Sequence, residues 1–327
     1  MNSISRYQLA AMLIITDVFG LFCLSGSISL MTLCGILSAS ALQFLTALIF
    51  VLHGKETSKG QQLFYLLYAV FCGGALFSSL WRTSGAIYIP YEERNGIWGK
   101  LLTAGLIALV CLYSSSTGLR AVSRAAVTAA AAGLLCILID FVSAVFTADW
   151  ENIYRPENQS FFYGFVRGFA VSGSLGSFFV LLEKTRGERS YAAVLYFGAK
   201  TLLTAVVILT SLAVAGGIVS AAEFPVITAA QLSQPFEAQR IDSLFLVIFI
   251  SFAVFSVTLQ VMTGAYLLKR LFPKFRRWRS STVTLLVLGA ALLMSGRELI
   301  LLRAAAALAA LTVSAAVKKS AVKDDTH

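Results

Sequence analysis

Histidine is almost missing from this chain: two among 327 residues, His53 and His327. A metal centre or a nucleophilic triad built on imidazole has almost nothing to work with. Cysteine is scarce as well. Cys23, Cys34, Cys72, Cys111 and Cys136 stand singly inside apolar runs, with no Cys-x-x-Cys pair. They read as small buried hydrophobes, which excludes a disulfide framework and a thiolate metal site. Charge is the third shortage. Only 13% of the residues are charged, too few to cover the surface of a soluble domain of this size. Acids number 16 against 26 Lys and Arg, for a net charge of +10. In a soluble protein that balance would suggest nucleic acid. Here it fits basic loops on the cytoplasmic face of a membrane, and nucleic acid is set aside as a partner. The near absence of His, and of paired acids on one helix face, also argues against an integral-membrane enzyme. No cofactor and no metal is expected.

What the chain has in quantity is apolar sequence. Hydrophobic residues make up 58% and the mean hydropathy is +0.81. Runs of about 20 apolar residues recur from end to end, the length that crosses a bilayer as a helix. The reading is an all-α integral membrane protein, a single polytopic domain over 1–327. About ten spans are expected, roughly 8–24, 29–52, 61–81, 97–117, 121–147, 161–183, 191–219, 241–268, 281–296 and 299–317. The first run carries Asp17 and leads almost directly into the second, so it reads as a retained span and not a cleaved signal peptide. Ser295-Gly296-Arg297-Glu298 barely separates the last two, leaving open a tight hairpin or one long broken helix. Following the alternation of loops, most Lys and Arg fall on the N-terminal side. Both termini are therefore expected in the cytoplasm, in agreement with an even number of spans. The basic block LKRLFPKFRRWR reads as a stop-transfer flank that could also touch anionic lipid headgroups. Two connections on the other side, 87–99 and 221–240, are long for this chain and are expected to pack over the extracytoplasmic mouth.

The most informative stretch is 161–191, FFYGFVRGFAVSGSLGSFFVLLEKTRGERSY. It is long enough to span, yet its middle reads Ser172-Gly173-Ser174-Leu175-Gly176-Ser177. Glycine and serine weaken a helix, and freed backbone groups inside hydrocarbon survive only where protein or a watery cavity satisfies them. The cluster therefore marks a candidate discontinuous helix, the device with which transporters hold solutes near the midplane. Small residues that merely let helices approach closely would look the same. Similar lengths before and after residue 150, with an odd number of spans in each, are compatible with a five-plus-five inverted repeat, about 1–148 and 161–318.

Few polar side chains lie within the spans. Asp17 either faces a pocket, meeting an amine or a coupling proton, or pairs with Arg167 or Lys200, or is a protonated acid. Asp140, deep in span five, offers a proton-coupling carboxylate or an interhelical hydrogen bond. Arg167 and, less easily, Lys200 are close enough to span ends to snorkel. Glu183 beside Lys184 reads as a hydrated flank. Arg240 and Asp242 read as a local salt bridge at the start of span eight. The alanine-rich stretches 124–133 and 303–316 read as tight helix-packing seams.

Three segments, ISRYQLAAMLIITDVFG, IYIPYEERNGIWGKLLTAGLIALVCLYSSSTGLRAVSRAA and FPVITAAQLSQPFEAQRIDSLFLVIFISFAVF, resemble the spore germination permease family. Arg240-Ile241-Asp242 looks like that family's Arg-hydrophobic-Asp motif, and GLRAVSR is similar to its Gly-x-x-x-hydrophobic-x-Arg ending of span four. The chain departs from the pattern at Asp17-Val18-Phe19-Gly20, where the family usually carries Gly-x-Gly, and at Phe249, near the family's tryptophan. The family comprises the membrane-embedded B subunits of nutrient germinant receptors, within the amino acid/polyamine/organocation transporter superfamily. The resemblance implies ten spans in a transporter-like inverted repeat, helices 1 and 6 discontinuous around a small-solute pocket. It implies a nutrient ligand, an amino acid by preference, held between spans one, three, six and eight. Receptor A and lipoprotein C subunits would be its partners. The setting would be a bacterial cell or spore inner membrane with both termini on the core side. The ligand-binding candidates are Asp17, Gly20, Ser172, Gly173, Ser174 and Gly176; Asp17, Asp140 and Lys200 are the proton-coupling or structural ones. A second reading is a proton-coupled secondary transporter of amino acids or amines.

Overall fold

A computed structural model describes residues 3–52, 57–87, 97–154, 160–218, 222–232, 242–273, 278–295 and 299–315. Within them the chain folds as twelve α-helices: α1 (Arg6–Phe22), α2 (Leu30–Leu52), α3 (Lys59–Ile87), α4 (Ile97–Thr117), α5 (Leu119–Thr147), α6 (Phe161–Val171), α7 (Leu175–Leu181), α8 (Arg189–Ala215), α9 (Pro225–Leu232), α10 (Asp242–Leu271), α11 (Arg279–Met294) and α12 (Ile300–Ala315). Two of them open on the same device. Ser5 and Gln8 cap α1 reciprocally, Ser5 Oγ accepting from the Gln8 amide and Gln8 Oε1 from the Ser5 amide. Ser58 and Gln61 repeat the exchange at α3. Each Ser-x-x-Gln thereby satisfies two amides that no helical carbonyl reaches.

Parts of α2, α3, α5, α8 and α10 are long and apolar enough to cross a bilayer, and α6–α7, bent by 44° at its break, makes a sixth span. This is a helical integral membrane protein. The other four candidates, α1, α4, α11 and α12, are shorter in their described parts. At 1.5 Å per residue, a helix of 16 residues reaches about 24 Å, less than the roughly 30 Å hydrocarbon core. Spans nine and ten are two separate helices; the junction 296–298 lies outside the described residues.

The spans pack in two groups. In the first, α2 lies along α6, α1 along α8, and α8 along α2. In the second, α3 lies against α10 and α11, and α10 against α11 and α4. Helix α5 leans on α1 and α10, while α12 leans on α6 and α2. Close approach of α2 and α6 depends on glycine. A Cβ at Gly164 would collide with the Thr32 carbonyl, and one at Gly168 would sit 2.6 Å from Ala39 Cβ. Helix α12 turns Ala304, Ala307 and Ala310 inward, so that alanine stretch is the seam expected. The first half of α5 is not. Its alanines mostly face outward, and Val122, Ser123, Ala126 and Gly133 carry the buried stripe.

At the N-terminal end of α1, strand β1 (Ile4–Ser5) pairs in parallel with β2 (Thr185–Arg186). Nearby, Glu183 meets Arg270 at 2.7 Å and accepts from Thr57 at 3.2 Å. Glu183 is thus no simple hydrated flank: it ties span six to span eight and to the loop before α3. We call this the proximal end. At the distal end α9 packs on α8 and α1. The Gly26 amide donates to the Glu223 carbonyl at 2.9 Å. This described part of the 221–240 connection does cover one end of the bundle. Residues 88–96 and 233–241, including Arg240, lie outside the described residues, as does the Asp242 side chain.

Candidate functional site

Span six leaves the helical path at Ser172 and resumes at Leu175. Three residues of backbone therefore leave the regular ladder in the middle of the protein. Three of their groups, the Ser172 and Gly173 carbonyls and the Ser174 amide, are met from other helices. Tyr68 of α3 donates to the Ser172 carbonyl at 3.3 Å. Gln260 Nε2 of α10 donates to the Gly173 carbonyl at 3.0 Å. The Ser174 amide donates to Asp17 Oδ1 of α1 at 3.2 Å, and the Gly173 amide folds back to Val171 O at 2.8 Å. The discontinuity expected in span six is real, and side chains hold it.

Asp17 is the centre of this arrangement. Its other oxygen, Oδ2, accepts from Tyr196 at 2.5 Å and lies 2.9 Å from Lys200 Nζ. Tyr196 and Lys200 stand one turn apart on α8, which puts both on the face toward α1. Lys200 also donates to Ser172 Oγ at 2.6 Å and to Gln43 Oε1 at 2.9 Å. All three ammonium protons are used. Ser174 Oγ, 2.6 Å from the Tyr196 hydroxyl, donates to it, because the tyrosine proton goes to Asp17. Ser172 Oγ has the Gly168 carbonyl at 2.7 Å and Gln43 Oε1 at 2.9 Å as acceptors for its one proton. One carboxylate and one ammonium, 2% and 3% exposed, thus neutralise each other inside a hydrogen-bonded frame from α1, α2, α6–α7 and α8. Of the alternatives open for Asp17, the Lys200 pair is the one formed.

Arg167 does not snorkel. It is fully buried, donates from Nη1 to Ser27 O at 2.6 Å and from Nη2 to Ser25 O, and stacks 4.2 Å over the Tyr163 ring. The reason lies in span one. Helix α1 runs unbroken past Asp17 and Gly20 to Phe22, so a mid-helix break there is not found. The helix stops at its distal end, and residues 23–29 continue as irregular chain that Arg167 supplies with donors.

The glycines divide by role. A Cβ on Gly20 would lie 2.7 Å from the Val171 carbonyl, and one on Gly176 would enter the Tyr68 ring. That ring cannot swing aside without releasing the Ser172 carbonyl. A Cβ on Gly173 finds ordinary contact with Leu76 at 3.5 Å. Gly20→Ala and Gly176→Ala are each expected to cost about 1–3 kcal/mol of stability, and Gly173→Ala less than about 0.5 kcal/mol. Thermal midpoints of the three purified variants check this. Equal loss in all three would show that backbone conformation, and not space, selects glycine at 173.

A cleft with room for water over about 40 Å³, and about 550 Å³ when the open solvent at its mouth is included, enters from the distal end between α1, α3, α6 and α12. Gly20, Ser25, Val171, Phe224, Arg82 and Arg303 are among its walls. Arg82 pairs with Glu223 at 3.0 Å beside the mouth. Beyond Ala170 and Arg303 a gap too narrow for water continues to Tyr68, Ser172 and Gly173. The structure therefore gathers Asp17, Ser172, Ser174 and Lys200 into one network, and places Gly20, Ser172 and Gly173 along the approach from the cleft. Asp140 lies on α5 with its side chain outside the described residues. Tyr68, Gln43, Gln260, Tyr196 and Arg303 escaped the sequence reading. Gln43 and Gln260, amides in the middle of apolar runs, were the signal available.

Among the described residues, no group of three His, Cys, Asp or Glu side chains could hold a metal. No family model matches the chain, and no curated protein matches it.

Proposed function

We propose that this chain is a permease-like sensor of a small nutrient, of the kind found in germinant receptors. Solute entering the distal cleft would rearrange the broken span six. The observation that carries the reading is how the break is held. A continuous helix is fixed by its own backbone bonds. This one is fixed by side chains from α1, α3 and α10, which can exchange partners with a solute or with one another. The resemblance to the spore germination permeases supports an amino acid as the nutrient and receptor A and C subunits as partners. It also supports a bacterial cell or spore inner membrane, with both termini on the cytoplasmic or spore-core side.

The packing supports the five-plus-five inverted repeat. Exchange spans one to five with six to ten, and five packed pairs map onto packed pairs. The pair α1 with α8 becomes α6 with α2; α1 with α5 becomes α6–α7 with α12. The pair α3 with α11 becomes α10 with α4; α5 with α10 becomes α12 with α3; α2 with α12 becomes α8 with α5. A repeat of about 1–148 and 161–318 requires such an exchange. In it α1 is the counterpart of the bent span six, with 23–29 in place of a second half-helix.

The test is a thermal-shift screen of the purified protein against amino acids, nucleosides and sugars, repeated with Gly173→Leu and Gly173→Ala. A nutrient is expected to stabilise the parent and the alanine variant, and not the leucine variant, whose side chain would fill the approach to the break. Stabilisation of all three alike would move the site elsewhere. The buried Asp17–Lys200 pair beside the break favours one second reading, a proton-coupled transporter. Nutrient-dependent proton uptake into proteoliposomes would select it over a sensor.

A further inference from the structure

We infer that Arg303 anchors a small-carboxylate site in the distal cleft. The inference deepens the sensor reading, since it rests on the cleft admitting a small solute.

Arg303 stands near the start of α12, at the point where the cleft and the narrow gap toward the break share a wall. One arm of its guanidinium is used: Nη1 donates to Ser79 Oγ at 3.2 Å. The other is not. Nη2 is buried and has no hydrogen-bond partner. No carboxylate among the described residues lies within ion-pair distance of Arg303. This sets it apart from the other cations of the protein's interior and of the cleft. Lys200 has Asp17, Arg82 has Glu223, and Arg167 has two carbonyls. A buried guanidinium N–H without an acceptor is costly, and a guanidinium prefers the paired oxygens of a carboxylate.

The surroundings narrow the ligand class. Gly20, Ala75, Ala170 and Ile300 line the cleft with Arg303, among the hydroxyls of Ser25, Ser78 and Ser79, a mixed wall that suits a short body with a polar end. A phosphate dianion asks for several donors, whereas here Arg82, the other cation of the cleft, is already engaged by Glu223. One available guanidinium arm in a cleft walled partly by Gly20, Ala75, Ala170 and Ile300 fits a small organic monoanion, including the carboxylate end of an amino acid. The serine and glycine break then lies on the far side of the narrow gap, where the ligand's occupancy can be felt.

The experiment uses the full chain in nanodiscs, in chloride-free buffer at constant ionic strength. Thermal shift and equilibrium dialysis follow propionate, propionamide, L-alanine, L-alaninamide and chloride, for the parent, Arg303→Gln and Arg303→Lys. Propionate and L-alanine are expected to bind saturably, and the two amides at least ten-fold more weakly. Arg303→Gln is expected to weaken propionate about ten-fold or more, with Arg303→Lys in between. Amides binding as well as carboxylates would overturn the inference. So would Arg303→Gln binding propionate like the parent, chloride saturating the site as tightly as propionate, or no response to either carboxylate. Should Arg303→Gln fail to fold, Arg303→Lys and the carboxylate–amide comparison on the parent decide. The two readings fail separately. Propionate binding that depends on Arg303, with no response to any nutrient, keeps the carboxylate site and sinks the sensor. Nutrient binding untouched by either Arg303 variant does the reverse.

Discussion

Lys200→Met is expected to destabilise the protein by about 3–5 kcal/mol, because it leaves the Asp17 carboxylate buried without its counter-charge. Asp17 is 2% exposed and Lys200 is 3% exposed. Neither can be rescued by solvent without opening the bundle. The loss has a second part: Gln43 Oε1 and Ser172 Oγ each lose the Lys200 donor. Asp17→Asn alone should be damaging in the same way, since it strands the ammonium. The double variant Asp17→Asn/Lys200→Met is expected to cost about 2–3 kcal/mol less than the two single losses added together. Asparagine still offers an oxygen to the Ser174 amide, and methionine fills the lysine's volume without its charge. Unfolding midpoints of the two single variants and the double, measured in one detergent, form a mutant cycle with an expected coupling of about 2–3 kcal/mol. If the double variant loses the sum of the singles, the pair is not a coupled unit and its place beside the break is incidental.

That pair also illustrates what the sequence could yield. Hydropathy places a span to within a few residues because burial in lipid is a property of the segment's composition. The ends expected at 29–52, 97–117 and 121–147 accordingly fall close to α2, α4 and α5. The break in span six was legible for a related reason: serine and glycine are poor helix formers wherever they stand. Partner choice is different. Asp17 could be narrowed to an amine, Arg167 or Lys200, but which one it met depends on the rotation of α8, and apolar runs that are hydrophobic all round carry little phase information. The same gap misplaced Glu183 as a flank, and assigned a packing seam to alanines of α5 that turn outward. Tyr196 stood one turn before Lys200 and was still missed, because a tyrosine in an apolar run is more often core than ligand. The end of span one, expected at 24, falls close to Phe22, and residues 23–29 follow as irregular chain. What misled was the mid-helix break that the resemblance implied, since α1 runs unbroken past Asp17 and Gly20.

Arg167→Met is the variant expected to expose how that irregular segment survives. Backbone that is neither helix nor barrel is tolerated at membrane depth only when protein groups satisfy it. Arg167 is the device here, reaching from α6 to the carbonyls of Ser25 and Ser27. A hydrogen bond from a charged donor is worth about 1.5–3 kcal/mol, so removing both is expected to cost roughly 3–5 kcal/mol. Arg167→Lys should restore less than half, because a single ammonium does not reproduce the planar fork that spans two carbonyls. Gly26 belongs to the same construction. Its φ of 78° favours glycine, and a Cβ there would lie 2.5 Å from Arg167 Nη2. Gly26→Ala should therefore displace the guanidinium and reproduce part of the Arg167→Met loss, and combining the two should add less than their sum. Amide hydrogen exchange gives the local readout: in Arg167→Met, protection is expected to fall first at residues 23–29, and at the Asp17 face of α1 only near global unfolding. Uniform loss of protection along α1 would show instead that Arg167 braces the whole span and that the irregular segment stands without it.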